Sequence, residues 1–484
     1  MLDPALLSAF GDILPPSAII AGVEGTRAYE CDGLPLFREL PMAVLLPEDE
    51  AQVVAILRLC HAARLPVVAR GAGTGLSGGA TPDRNGIVLS LAKFKRIVSL
   101  DPLAKSAVVQ PGVRNLAISE AAAVHGLYYA PDPSSQIACT IGGNVAENSG
   151  GVHCLKYGLT VHNVRRVRAV LIDGDVVEFG GDALDAAGYD LLALLNGSEG
   201  LLAVITEVTV RLTPKPQQAT CVLAAFDDLE QAGDAVAAII GAGIVPAGLE
   251  MMDRLTIGAV EPFVHAGYPQ DAVAILLCES DGTPDEVADE VARMRGLLDG
   301  AGATLVQVSQ SEAQRLKFWS GRKAAFPAAG RISPDYYCID GTIPRRSLAP
   351  VLKRIEEWSR EFGLRCMNVF HAGDGNLHPL ILFDANVLDE VAKTEAFGAR
   401  ILELCIEVGG TITGEHGVGL EKIDQMCSQF GAPELERFHA LKRAFDADGL
   451  LNPGKAVPLL HRCAEMGRMH VHGGQLPHAD LPRF

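Results

Sequence analysis

His371 and His378 stand seven positions apart in HAGDGNLH, around a short loop of glycine, aspartate and asparagine. The flanking runs CMNVFH and LHPLILF are β-prone, and the Asp-Gly between them is a hairpin signal. A hairpin brings the residues bordering its loop face to face, so the two imidazoles converge. A single continuous strand sends them to opposite faces, because seven is odd. Converging imidazoles suit a divalent metal that takes one further protein ligand. Glu415 in TITGEHGVG offers that oxygen, and His416 beside it offers a titratable base; Gly414, Gly417 and Gly419 leave the loop free to turn sharply. Zinc, manganese and iron all accept such a set. A lone histidine is more often a hydrogen-bonded loop residue, but three such groups in two glycine-rich loops favour a site. Arg322, in FWSGRKAAFPAAGRISPDYY, is the cation expected beside an anionic substrate, since a planar guanidinium holds a carboxylate through two parallel bonds. Sequence alone does not separate it from Lys323 or Arg331.

Two glycine-rich tracts add a second kind of chemistry. RGAGTGLSGG packs five glycines between Gly71 and Gly79, with Thr74 and Ser77, leaving backbone N–H groups free to converge on an anion. Gly73, Gly75 and Gly78 formally satisfy G-x-G-x-x-G, yet TPDRNGIVLSL follows, a turn and a strand where a doubly wound dinucleotide-binding fold needs a helix. Residues 131–164 carry Gly142, Gly143, Gly150 and Gly151 over a length that neither helical nor strand periodicity explains, the texture of a long ordered loop that binds something.

The supporting elements follow from periodicity. AVLL, EAQVVAILRLCHAARL and PVVAR read as strand, helix and strand; GSEGLLAVITEVTVRLTPKP ends a first region in a β-branched strand stopped by two prolines, placing a boundary at Pro214 to Gln218. Beyond it, short strands alternate with amphipathic helices (TCVLAAF, PDEVADEVARMRGLL, SLAPVLKRIEEWSREF), which suggests antiparallel sheet covered on one side by helices. The expected layout is an N-terminal segment 1–42, a first domain 43–216, a second domain 217–424 and a C-terminal segment 425–484 returning to the first. Cysteines number 11 with no C-x-x-C, which argues against a thiolate zinc site or an iron–sulfur cluster held by this chain alone. A net charge of −18 over 484 residues disfavours nucleic acid and anionic membranes as partners. With no secretory signal and no spanning stretch visible, the expected location is cytoplasmic.

RGAGTGLSGG, PSSQIACTIGGNVAENSGG, NGSEGLLAVITEVTVRLTPKP, FPAAGRISPDYYCIDGTIPR, HAGDGNLHP, GEHGVG and LNPGK are similar, in order and spacing, to the FAD-linked subunits of bacterial glycolate oxidases. These are vanillyl-alcohol-oxidase-type flavoproteins, related to D-lactate and D-2-hydroxyglutarate dehydrogenases. The resemblance covers nearly the whole chain from Ala43 and extends into the tail LLHRCAEMGRMHVHGG. It implies an α+β fold: a PCMH-type FAD-binding domain of two α+β subdomains, an α+β, ferredoxin-like cap domain, and a C-terminal segment packing on the FAD domain. It assigns FAD to Arg70, Gly71, Ala72, Gly73, Thr74, Gly75, Leu76, Ser77 and Gly78, to Pro131, Asp132, Ser134, Thr140, Gly142, Gly143, Asn144, Ala146, Asn148, Gly150 and Gly151, and to Glu199, Gly200, Ile205 and Asn452. It assigns a divalent metal to His371, His378 and Glu415, proton transfer to His416 and the substrate carboxylate to Arg322.

Relatives acting on D-2-hydroxyglutarate carry an asparagine where this chain has Leu380 and a lysine near the position of Cys338. Their absence points to a small acid such as glycolate or D-lactate. In the implied reaction His416 takes the hydroxyl proton, the Cα hydride passes to the flavin, and the metal lowers the pKa of the hydroxyl. Implied partners are a second flavoprotein subunit and an iron–sulfur subunit, through which alone the chain would lie against the inner membrane. Three rivals stand beside this reading: a D-lactate or other short D-2-hydroxy acid dehydrogenase acting alone, a metal hydrolase with no redox cofactor, and a flavin-carrying relay without catalysis of its own.

Overall fold

The computed structural model describes residues 2–183 and 188–459. The rest of the expected C-terminal segment, 460–484, and with it most of the tail LLHRCAEMGRMHVHGG, lies outside the described residues. The described residues form two compact units: those up to Ser149, those within Leu159–Pro214 and those from His416 make one, and Gly150–Gly158 with Lys215–Glu415 make the other.

Among the described residues the first unit contains two larger sheets and a two-stranded pair, Leu127–Tyr128 with Thr213–Pro214. In the four-stranded sheet Ala43–Leu45, Ile87–Ser90 and Val67–Arg70 run parallel, and Ile19–Ala21 pairs antiparallel with Ala43–Leu45. The helix Glu50–Ala62 is the crossover; Asp49 caps it by accepting from the Gln52 amide, and Val53, Ile56, Leu57 and Cys60 form its buried face. The segment 1–42 is thus built into this unit: its helix Pro4–Ile13 and the adjoining Leu14 contribute Phe10 and Leu14 to the same apolar cluster as Ile56 and Leu89. The second sheet is antiparallel, ordered Ile97–Asp101, Ser106–Val109, Val204–Arg211, Val164–Val170, Val176–Gly180, over its own cluster of Ile118, Ile141, Val167 and Val208. The glycine tract after Arg70 leads by way of a loop into the parallel strand Ile87–Ser90, as its context in the sequence requires.

The tract 131–164 differs from a plain loop. It contains three short helices, Ile141–Glu147, Cys154–Tyr157 and Thr160–Asn163, too brief to leave a periodic signal. Between the first and the last of these, residues Gly150–Gly158 leave the first unit for the second.

The second unit is built on a seven-stranded antiparallel sheet, ordered Leu305–Val308, Gln218–Phe226, Ala274–Gly282, Gly248–Asp253, Cys366–His371, Pro379–Phe383, Asp335–Cys338. Helices cover both of its faces, not one. Cys221, Leu223 and Ala225 point into a cluster with Ile257, Val260, Phe318 and Trp319, while the alternate Val222, Ala224 and Phe226 are equally buried on the other side, where Leu229–Gly241 and Pro284–Gly300 pack. Strands buried on both faces lose the alternation that betrays a one-sided sheet. The strand Gly248–Asp253 and the helix Arg254–Val264 carry no clear signal for this reason and because Glu250 and Pro262 interrupt their apolar patterns. The chain passes between units after Pro214 and again between Glu415 and His416, where sequence composition suggested 216 and 424.

Asn452 ties the returning segment down. It adopts φ +43°, and its buried Nδ2 donates to Gly79 O at 3.0 Å and Glu199 O at 2.6 Å. Asn452→Ala leaves both carbonyls unsatisfied and places alanine in a left-handed conformation, so chemical denaturation should register a loss of about 2–4 kcal/mol; an unchanged midpoint would show that this segment is not held there.

Candidate active site

The strands Cys366–His371 and Pro379–Phe383 form the expected hairpin, in the register Met367↔Leu380 and Asn368↔Pro379. Its turn closes where His371 N donates to Asn376 O at 3.1 Å and Gly375 N donates back to His371 O at 3.0 Å. Gly375 has φ +84°, and any side chain there would strike the Ile343 carbonyl. His371 ends the first strand and His378 lies two residues beyond its opposite number Asn376, a diagonal pair on one face. Their rings lie 5.1 Å apart, edge to face. Both are buried, His371 at 5% exposure and His378 at 3%.

Glu415 reaches this pair from the loop after the helix Glu390–Glu407. Its Oε1 stands 3.3 Å from His371 Nε2 and 3.3 Å from His378 Nε2. Ligand atoms of the three residues fall within 4.8 Å of one another. Asp340, fully buried, fixes that loop: it accepts from the Gly414 and Glu415 amides at 3.1 Å and from Thr413 Oγ1 at 2.6 Å. Asp340 also accepts from Asn376 Nδ2 at 2.8 Å, so one carboxylate braces the loop and the hairpin turn together. Two nitrogens and an oxygen, held by donors that cannot easily move, form a donor set that fits a divalent cation.

Arg322 lies in the last turn of the helix Glu312–Lys323, 2% exposed, and its Nε donates to Glu250 Oε2 at 2.6 Å. The structure separates it from its neighbours in sequence: Lys323 is exposed, and exposed Arg331 lies over the Phe263 ring. The other oxygen of Glu250 meets His371 Nδ1 at 2.6 Å. Burial alone would push the Glu250 carboxyl up, but the His371 imidazole and the Arg322 guanidinium outweigh it and hold it below the usual carboxylate range. At His371 burial disfavours the cation, yet Glu250 and Glu415 prevail and hold its pKa well above the ordinary value. Glu250 and Asp340 escaped sequence reasoning. The available signal was an acid inside an apolar run, GLEMMD and YYCIDG, where a carboxylate has no water and therefore needs partners.

On the first unit, the glycine tract and the second tract meet. Any side chain on Gly71 would strike the Thr140 hydroxyl, which is buried with no hydrogen-bond partner among the described residues, as is the Ser77 hydroxyl. Gly73 has φ +71° and lies against the Arg70 guanidinium, which donates to Cys31 O at 2.8 Å. Asn115 Nδ2 joins Pro131 O at 3.1 Å to Asn144 Oδ1 at 3.2 Å. Side-chain-free loops with stranded hydroxyls make a cradle that fits the phosphates and polar edges of FAD. Other expected positions take different places. Ser134 is exposed, Ile205 is buried in the apolar cluster of the five-stranded sheet, and Gly150 and Gly151 belong to the excursion into the second unit. Glu199, at φ +50°, accepts from the Val418 and Gly419 amides at 2.7 Å, anchoring the residues just after His416. Burial raises the carboxyls of Glu199 and of Glu147, the latter well above its usual range with the charge of Glu199 adding to the effect.

Residues 41–180 match the family model of an FAD binding domain, and residues 215–456 match that of the C-terminal domain of FAD linked oxidases. The chain is 60% identical over 480 residues to the glycolate oxidase subunit GlcD of Escherichia coli K12, covering 99% of this chain and 96% of that protein. It is 33% identical over 463 residues to a D-lactate dehydrogenase of Archaeoglobus fulgidus, covering 93% and 98%. Its fold is similar to that of p-cresol methylhydroxylase, with a TM-score of 0.77 at 16% identity over 94% of this chain and 97% of that one. Among the described residues no helix is long and apolar enough to cross a membrane.

The raised pKa of His371 has a defined sign. In chelator-treated protein its imidazolium stabilises the fold fully below the unfolded value of about 6.5, and that contribution is lost as pH rises through the folded value. NMR should find the His371 ring deprotonating at a pH well above the ordinary imidazole value. A ring titrating at the ordinary value would contradict the pull of Glu250 and Glu415.

Proposed function

Starting from the chain's membership of the FAD-linked oxidase family, we propose that it oxidises a short 2-hydroxy acid, glycolate or D-lactate, to the 2-oxo acid as one subunit of a larger oxidase. The observation that carries this reading is the set of buried His371 and His378 with partly buried Glu415, to which Arg322 is joined through Glu250.

Arg70, Gly71, Gly73, Ser77 and Thr140 would hold FAD, and His371, His378 and Glu415 a divalent metal, zinc, manganese or iron. When bound, these two groups supply a hydride acceptor and a Lewis acid. The protein residues do the rest. Arg322 binds the substrate carboxylate: its Nε is committed to Glu250, and its terminal nitrogens bond to none of the described residues. His416 takes the hydroxyl proton as the Cα–H bond breaks. Glu199 and Asp340, each accepting from two successive amides, hold the loop on either side of the Glu415–His416 pair. Leu380 and Cys338 face each other across paired strands within an apolar cluster, giving a second carboxylate no partner there and favouring a small acid. The likeness to a named oxidase subunit supports partner chains; a second flavoprotein and an iron–sulfur protein among them would give electrons a route out.

Anaerobic addition of glycolate or D-lactate to the flavin-loaded protein should bleach the flavin spectrum, and L-lactate should not; a spectrum unmoved by either acid would overturn the assignment. His371→Ala and Glu415→Gln should each lower turnover by more than roughly 100-fold while the yellow flavin stays bound. Full activity in both variants would remove the metal from the scheme.

A further inference from the structure

Glu250 is fully buried and in direct contact with two groups that the reaction assigns to different tasks. Its strand and the strand of His371 are neighbours in the sheet, and Glu250 and His371 are direct partners in the antiparallel register. The 2.6 Å contact from Glu250 Oε1 to His371 Nδ1 is therefore set by backbone pairing, not by a chance rotamer. That contact fixes the imidazole so that Nε2 faces Glu415 and His378. The second oxygen takes the Nε of Arg322, whose helix packs Phe318 and Trp319 into the same apolar cluster as Met252 and Leu277. A bond at Nε leaves the paired Nη edge directed elsewhere, the edge that suits a carboxylate. Both bonds lie in an apolar interior, where electrostatic coupling is strongest.

We propose that Glu250 is a positioning residue serving both halves of the proposed site, orienting His371 toward the cation and Arg322 toward the substrate carboxylate. This rests on the reading above that the cation and the acid bind there. A carboxylate behind a ligating imidazole typically affects metal affinity by roughly 10- to 100-fold. Glu250 differs from a purely structural ion pair in that its loss should weaken two separate binding events.

The test uses full-length, flavin-loaded protein stripped of metal, titrated calorimetrically with Zn²⁺ and, separately, Mn²⁺. Glu250→Gln should weaken binding of the ion by roughly 10- to 100-fold. Glu250→Asp, which keeps the charge but is too short to reach both partners, should also weaken it. Because Glu250→Gln strands the Arg322 cation, a cost that by itself can prevent folding, the double variant Glu250→Gln/Arg322→Gln removes both charges; it should remain weakened, whereas Arg322→Gln alone should not. Binding of propionate, a carboxylate without the hydroxyl, read from perturbation of the flavin spectrum, should weaken in Glu250→Gln with no metal present. If the wild type takes up an ion and the double variant takes it up equally tightly, Glu250 does not position His371; propionate binding unchanged in Glu250→Gln removes its role toward Arg322. A wild type that takes up neither ion overturns the cation reading itself and this proposal with it.

Discussion

A carboxylate with no access to water must be neutralised by whatever surrounds it, and the second unit is arranged around that necessity. Glu250 and Asp340 are fully buried, and each gathers donors from segments far apart in sequence: Glu250 from residues 322 and 371, Asp340 from 376 and 413–415. Removing either acid would leave several donors without partners, which costs more than the bonds themselves contribute in water. The candidate metal ligands are thus held by groups that cannot relax without exposing buried charge. Glu199 plays the same part in the first unit, where its carboxylate receives two successive amides of the glycine loop.

Backbone pairing supplies the precision. The diagonal relation of His371 and His378 follows from a tight turn that only glycine accommodates at Gly375, and the contact of Glu250 with His371 follows from strand register. A shift of one residue would turn Glu250 to the opposite face of the sheet. Eight buried strand residues in a row, those from Ala274 to Asp281 around Leu277, resist that shift through the apolar area they would expose.

How much of this was legible in the sequence varied with the physical source of the signal. The hairpin announced itself through Asp-Gly between β-prone runs, so the convergence of His371 and His378 could be read beforehand. The parallel strand–helix–strand before Arg70 was equally plain in its periodicities, and the failure of G-x-G-x-x-G followed from the strand at Ile87. Glu250 and Asp340 were not found, because their importance lies in partners 36 to 121 positions away that no local pattern encodes. Sheet coverage was misjudged for a related reason: one-sidedness is inferred from alternation, and the strand at Ala274 has none. Motif resemblance supplied the FAD and metal assignments that periodicity does not reach.

Charge at the candidate site is what would draw a cation there. Glu250, Asp340 and Glu415 carry three formal negative charges against the single positive charge of Arg322, a formal balance of −2 before Asp374, which burial pushes toward its neutral form, is considered. An anionic acid approaching such a site meets repulsion there, on a chain whose net charge is already −18. Screening in any case confines the protein's field to about 8–10 Å. A divalent cation at His371, His378 and Glu415 brings the local balance to zero and leaves the guanidinium edge of Arg322 free to act as a net attraction. Without the ion, the same imbalance draws a proton onto His371 instead, which is the physical content of its raised pKa.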